Sequence, residues 1–132
     1  LVVKTAKAIE SGDIHPVPQQ EIASLKSAPK LERSTGEVHW SRSGREIVNL
    51  VRGMYPFPGA HTVFQGKNCK LMAVEFHPEI IPDLGVGVWD TDQKTFLRVG
   101  CNDGYISIVE WQMEGKKRLK IDEFLRGYNF NF

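Results

Sequence analysis

The side chains able to do chemistry fall into a few groups, and most stop short of a site. Lys116-Lys117-Arg118, with Lys120 close behind, is a compact basic cluster directly after Gly115. At a turn, such side chains fan outward and can reach phosphate oxygens. They can equally keep a sheet edge from aggregating. Arg42, Arg45 and Arg52 form a second cationic group, whose plainer explanation is the polar side of an amphipathic helix. Glu75-x-His77-x-Glu79 places three potential metal ligands two apart. No other clustered His or Cys completes the set, so no metal centre is expected. His39 and His61 could pair with Cys69 or Cys101 as a nucleophilic dyad, but no local nucleophile signature accompanies them. Core or edge histidines and buried thiols are the expectation. Gly85-Val86-Gly87 lacks the third glycine and following helix of a dinucleotide loop. No catalytic residue is therefore expected in this chain.

Bulk properties set the frame for these groups. At 132 residues, with 41% apolar and 25% charged residues, the chain is one ordinary globular domain with room for a short appendage. The net charge of +1 gives no global basic field, so the distribution of cations matters more than their total. No apolar run has the length of a membrane span, and no signal-peptide pattern opens the sequence. Two cysteines without a secreted framework read as free thiols in a reducing cytoplasm. The first residue is Leu, so a piece of a longer chain is expected.

The elements that must position the cations follow from pattern. Residues 1–12 read as the end of a helix, with Val2, Ala6 and Ile9 on one face and Gly12 as its C-terminal cap. Residues 13–32 are proline-punctuated and polar, a linker with little to bury. The domain proper is placed at 33–132. Glu37-Val38-His39-Trp40 is a candidate strand. Ser43 with Glu46 forms a capping box, and Ile47, Leu50, Val51 and Met54 make one apolar stripe of a helix that should stop before Pro56. Strands are then expected at 60–65, 69–76, 85–90, 95–101 and 105–114, with Gly66-Lys67 as a hairpin turn. In the last strand, odd positions give Tyr105, Ser107, Val109, Trp111 and Met113, an expected apolar face throughout. The even face turns polar in its second half. A short helix at 121–126 closes the chain, with Gly127 behind it. This count argues a mainly β domain, a small antiparallel OB-like open barrel with one helix early and a short one at the end.

The run Trp40-Ser41, then Arg45-Glu46-Ile47-x-Asn49-x-x-Arg52-x-x-x-Pro56-x-Pro58-Gly59-Ala60, resembles the C-terminal domain of the methionyl-tRNA formyltransferase family. Further anchors follow in the same order: Ala8-Ile9-Glu10-Ser11-Gly12-Asp13-Ile14, Ala28-Pro29-Lys30-Leu31, Asp103-Gly104, Gly115-Lys116-Lys117-Arg118 and Phe124-Leu125-Arg126-Gly127. The resemblance implies that residues 1–12 are the remnant of the last helix of an N-terminal catalytic domain, and 13–32 an interdomain linker. That family transfers a formyl group from 10-formyltetrahydrofolate to the amino group of methionine on initiator tRNA. Its catalytic Asn, His and Asp and its folate-binding segment belong to the N-terminal domain, and none of those motifs stands here. The implied role is therefore tRNA binding and positioning, in a cytoplasmic monomer, with no cofactor held by this part. The implied partners are initiator methionyl-tRNA and the chain's own catalytic domain. By position, Arg42, Arg45, Arg52, Lys116, Lys117 and Arg118 would be the phosphate contacts. Sugar N-formyltransferases share the two-domain plan and the Pro-x-Pro-Gly-Ala turn, and Phe76-His77-Pro78 resembles them. A scaffold without a nucleic-acid role is accordingly the alternative.

Overall fold

A computed structural model describes residues 1–21 and 23–128. Ile22 of the expected linker and 129–132 of the expected domain lie outside the described residues. Helix α1 (Val2–Ser11) ends on Gly12 in the left-handed conformation, whose N–H donates to the Ile9 carbonyl. No residue of α1 is buried. The described linker residues are exposed as well. The buried apolar residues run from Val38 to Leu125, so neither α1 nor the linker contributes to the core.

That core is wrapped by a curled antiparallel sheet of six strands: β1 (Ala60–Phe64), β2 (Lys67–His77), β3 (Trp89–Thr91), β4 (Leu97–Cys101), β5 (Gly104–Met113) and β6 (Leu119–Lys120). The path is β1-β2-β5-β4-β3, with β6 also on β5. β4 pairs with the first half of β5 and β6 with the second, so both share one edge of the central strand. β1 and β3 at the ends of the path are not hydrogen-bonded to each other. Side chains bridge them instead: the rings of Phe64 and Trp89 meet at 4.7 Å, and Trp40 covers Trp89 at 5.4 Å. The fold is mainly β, an open half-barrel with three helices among the described residues, as the strand count implied.

Helix α2 (Gly44–Met54) packs across β2 and carries the capping box in full. Ser43 Oγ accepts from the Glu46 N–H, and Glu46 Oε2 accepts from the Ser43 N–H at 3.1 Å. Ile47, Val51 and Met54 are buried, and the chain turns extended at Tyr55. Gly44 is forced by packing, because a Cβ there would lie 1.8 Å from the Phe76 ring. A longer-range contact secures the same end: Asp103 Oδ1 accepts from the Gly44 N–H at 2.7 Å. The final helix α3 (Ile121–Arg126) buries Ile121, Phe124 and Leu125.

Several expectations are corrected. The expected strand at 37–40 is a single parallel bridge from Glu37 to His61, preceded by a 3-10 turn at Arg33–Gly36. The expected strand at 85–90 shrinks to β3, because Gly87 adopts a positive φ and Val86 makes only one bridge to Gly100. The hairpin turn is Gln65-Gly66, both at positive φ, with Phe64 opposite Lys67. That is the two-residue geometry whose twist suits a hairpin. β6 was not expected. On β5 the buried residues are Ile106 and Ile108, then Trp111 and Met113, so the inward face changes parity midway. The register explains this: Val74 faces Ile108 while Ala73 faces Glu110, which leaves Val109 as a bulge residue.

Candidate nucleic-acid interface

Between β5 and β6 the chain turns through Gly115 at φ 76. The turn is pinned twice: the Lys116 N–H donates to the Met113 carbonyl at 2.9 Å, and Gln112 Nε2 donates to the Lys116 carbonyl at 3.2 Å. Lys116 and Lys117 are exposed at its tip and enter no ion pair among the described residues. Arg118 differs. Its Nε and Nη2 donate to the two Glu110 carboxylate oxygens at 2.6 and 2.7 Å, and Nη1 donates to the Tyr55 hydroxyl at 3.0 Å. This forked pair holds the Glu110 carboxyl below its usual range and raises the guanidinium further. The three adjacent cations of the sequence thus have two geometries, two free ammonium groups and one bound guanidinium.

The arginines of α2 are spread along it. Arg45 and Arg52 are exposed and seven residues apart, which puts them on one stripe about 10 Å apart along the axis. Arg42 precedes the helix, and its charge helps the Ser43 hydrogen bonds hold the Glu46 carboxyl low. Its carbonyl accepts from the Asn102 N–H at 3.3 Å. Tyr55, three residues past Arg52, reaches Arg118, so the Arg52 end of α2 adjoins the basic turn. The Arg42 end lies instead beside Asn102 and Asp103.

Among the described residues the other chemistry-bearing groups stand as follows. His77 Nε2 and Glu75 Oε2 are 3.9 Å apart, and the His77 ring stacks on Tyr105 at 4.7 Å. Among the described residues no group of three or more His, Cys, Asp or Glu converges as metal ligands would. Cys69 and Cys101 are free and buried, and burial pushes the Cys69 thiol up to about 12 and raises that of Cys101. Both shifts disfavour the thiolate form. Sequence reading missed Glu110 and Tyr55 as partners of Arg118. Glu110 faces outward, half-buried, only because the Val109 bulge changes the face of β5, and only the curl of the sheet brings Tyr55 to Arg118.

Comparison with known proteins fits this geometry. The family described as "Formyl transferase, C-terminal domain" matches residues 30–129. This chain belongs to the formyltransferase C-terminal domain family. It is 35% identical to the methionyl-tRNA formyltransferase of Bacteroides fragilis, over 98% of this chain and 42% of that protein. The enzyme of that name from Halothermothrix orenii is 37% identical, over 98% of this chain and 42% of its own length. The chain therefore spans about two fifths of these relatives. Among solved structures it resembles HypX from Aquifex aeolicus in complex with tetrahydrofolic acid, at 25% identity and a TM-score of 0.63, over 96% of this chain and 23% of that one. A HypX variant from the same organism gives a TM-score of 0.64 at 24% identity, over 98% of this chain and 24% of that one, a likeness of fold. In family terms, Asp103-Gly104 now has a structural reason. Asp103 caps α2, and Gly104 permits an approach in which a Cβ would lie 2.1 Å from the His77 carbonyl oxygen. Among the described residues, no helix is long and apolar enough to cross a membrane.

Proposed function

We propose that this chain is the tRNA-binding and positioning part of a methionyl-tRNA formyltransferase of the cytoplasm. The whole enzyme would move a formyl group from 10-formyltetrahydrofolate to the amino group of methionine on initiator tRNA, with the chemistry in an N-terminal catalytic domain. The observation that carries this reading is the similarity along 98% of the chain to proteins of that name. The exposed Lys116–Lys117 tip supports it physically, because two unpaired ammonium groups on a pinned turn release counterions when they meet phosphates. Holding the tRNA body steadily is a positioning contribution, by which the aminoacyl end is kept where reaction can occur.

Of the six candidate cations, Lys116 and Lys117 are the proposed principal phosphate contacts, with Arg45 and Arg52 adding charge along α2. Arg42 contributes from the far end of the helix. Arg118 serves by fixing the turn against Tyr55 and Glu110. The test is binding to initiator tRNA across a salt series. Lys116→Ala with Lys117→Ala should flatten the dependence of log affinity on log salt by roughly 1 per cation. An unchanged slope in the double variant removes the tip from the interface.

The near-neutral charge and the engagement of Arg118 favour a second reading, a barrel that only scaffolds a sugar N-formyltransferase. Absence of tRNA binding even at low salt would select it.

A further inference from the structure

On the outer face of the sheet His61, Lys70 and Gln112 stand in one row. His61 is opposite Lys70 across β1 and β2, and Lys70 is opposite Gln112 across β2 and β5. Their strand neighbours Cys69, Leu71, Trp111 and Met113 are buried, so the row faces away from the core. It floors a cleft of about 430 Å³, within the ~300–1,000 Å³ range of ligand pockets. One wall is Phe57-Pro58-Gly59, beside Arg33, and the other is the end of β5 leading into Gly115. Phe57 is 82% exposed, its ring left largely in water at the edge of the cleft. Flanking Pro56 and Pro58 each fix one backbone angle beside it, so the ring stands on a stiff turn. The Lys70 stem lies along that turn, since a Cβ on Gly59 would meet Lys70 Cε at 1.9 Å.

The charges of the cleft are unevenly committed. Glu114 accepts from the Asn68 N–H at 3.2 Å and from Asn68 Nδ2 at 3.4 Å. Lys70 and Arg33 enter no ion pair among the described residues. An exposed aromatic ring on one wall, the unpaired cations Lys70 and Arg33, and the Gln112 carboxamide, whose Nε2 holds the turn and whose oxygen is not part of that bond, are the parts nucleotide recognition combines: stacking, phosphate attraction and base-edge hydrogen bonding. We infer that this cleft takes a single unpaired nucleotide, its base against Phe57 and its phosphate towards Lys70 and Arg33. The inference rests on the tRNA reading for its source, a nucleotide splayed from the folded RNA. A paired base has both faces stacked and cannot lie against Phe57. Lys116 and Lys117, adjoining the Gly115 wall, would then meet the flanking backbone.

The experiment is fluorescence anisotropy with the 132-residue chain and its variants. The probes are initiator tRNA, a ten-nucleotide single-stranded RNA, that strand annealed to its complement, and uridine monophosphate as competitor. Phe57→Ala should weaken single-strand and tRNA binding by about tenfold at every salt concentration. Being uncharged, it should leave the salt slope alone, and Phe57→Trp should restore affinity. Lys70→Met, which keeps the stem, should lower the single-strand slope by about 0.7. Duplex binding should be indifferent to Phe57. Equal tRNA and single-strand affinities for Phe57→Ala and the unaltered chain would overturn the inference while leaving the tRNA reading intact. If tRNA does not bind but uridine monophosphate does, in a Phe57-dependent way, the tRNA reading falls. The nucleotide cleft then stands with a free nucleotide as its source. Failure of all four probes overturns it.

Discussion

The two ends of α2 are built to opposite rules. At the N-terminal end the backbone is tied down: Ser43 and Glu46 satisfy one another, Asp103 reaches in to the Gly44 amide, and Phe76 occupies the space a side chain on Gly44 would need, while Arg42 and Arg45 point to water beside it. At the C-terminal end the chain passes through Pro56 and Pro58 and leaves Tyr55 45% and Phe57 82% exposed. Arg118 fastens Tyr55 from the basic turn, and the cleft opens beside Phe57. The same helix thus anchors the barrel at one end and displays chemistry at the other. Cations face water at both ends, so the exposed rings of Tyr55 and Phe57 are what mark the C-terminal end as the place to look for a ligand.

Substitutions can break or sharpen that contrast. Gly44→Ala should be the most damaging, costing about 1–3 kcal/mol by overpacking against Phe76. Denaturant midpoints would show it, and an unchanged midpoint would mean that Phe76 yields freely. Asp103→Ala should cost about 1 kcal/mol by leaving the helix amide uncapped, while Asp103→Asn, which keeps an acceptor oxygen, should recover most of it. Calorimetry of the pair separates capping from charge.

A smaller effect concerns acid. The Glu46 carboxyl is held below its ordinary value first by the Ser43 hydroxyl, and Glu110 is lowered by Arg118. A depressed folded-state pKa contributes stability that is present above the unfolded value, about 4.3 for Glu. That contribution is lost as pH falls through the folded value. Thermal midpoints should therefore decline on acidification below the ordinary carboxylate range, and Glu46→Gln should make that decline shallower. The smallest effect belongs to the open end. Phe57→Ala should change folding stability by less than about 0.5 kcal/mol, since its ring is mostly in water. A large loss there would mean the ring packs, and would erase the contrast between the ends.

Much of the scaffold was legible because its signals are local. The Ser43–Glu46 box, the Ile47, Leu50, Val51 and Met54 stripe, and the stop before Pro56 each depend on residues a few positions apart; the box and the stop are found, and the stripe is buried except at Leu50, which is half-buried. The expected face of β5 failed midway because the bulge at Val109 depends on how β2 registers against it, which no feature within 105–114 records. The expected strand at 85–90 failed for a related reason. Gly87 takes a positive φ, and the Gly85 carbonyl lies so close to Gly100 that a Cβ there would sit 2.1 Å from its oxygen, an approach to a residue outside 85–90 that no feature of that segment records. Among the cations, the cluster was visible but the fate of its members was not. Lys116, Lys117 and Arg118 are equivalent as letters, and only Glu110 and Tyr55 distinguish the third.

By itself, then, the sequence determined the helices and their caps, the mainly β character and the family, because periodicity, capping and motif order are written in neighbouring residues. Tertiary structure alone decided that β1 and β3 close through Phe64 and Trp89 rather than a ladder, and that Asp103 caps a helix begun at Gly44. It alone also aligned His61, Lys70 and Gln112 beneath Phe57. These contacts join residues far apart in the chain, and their formation is fixed by sheet register and curl, which come into being only when the whole barrel packs.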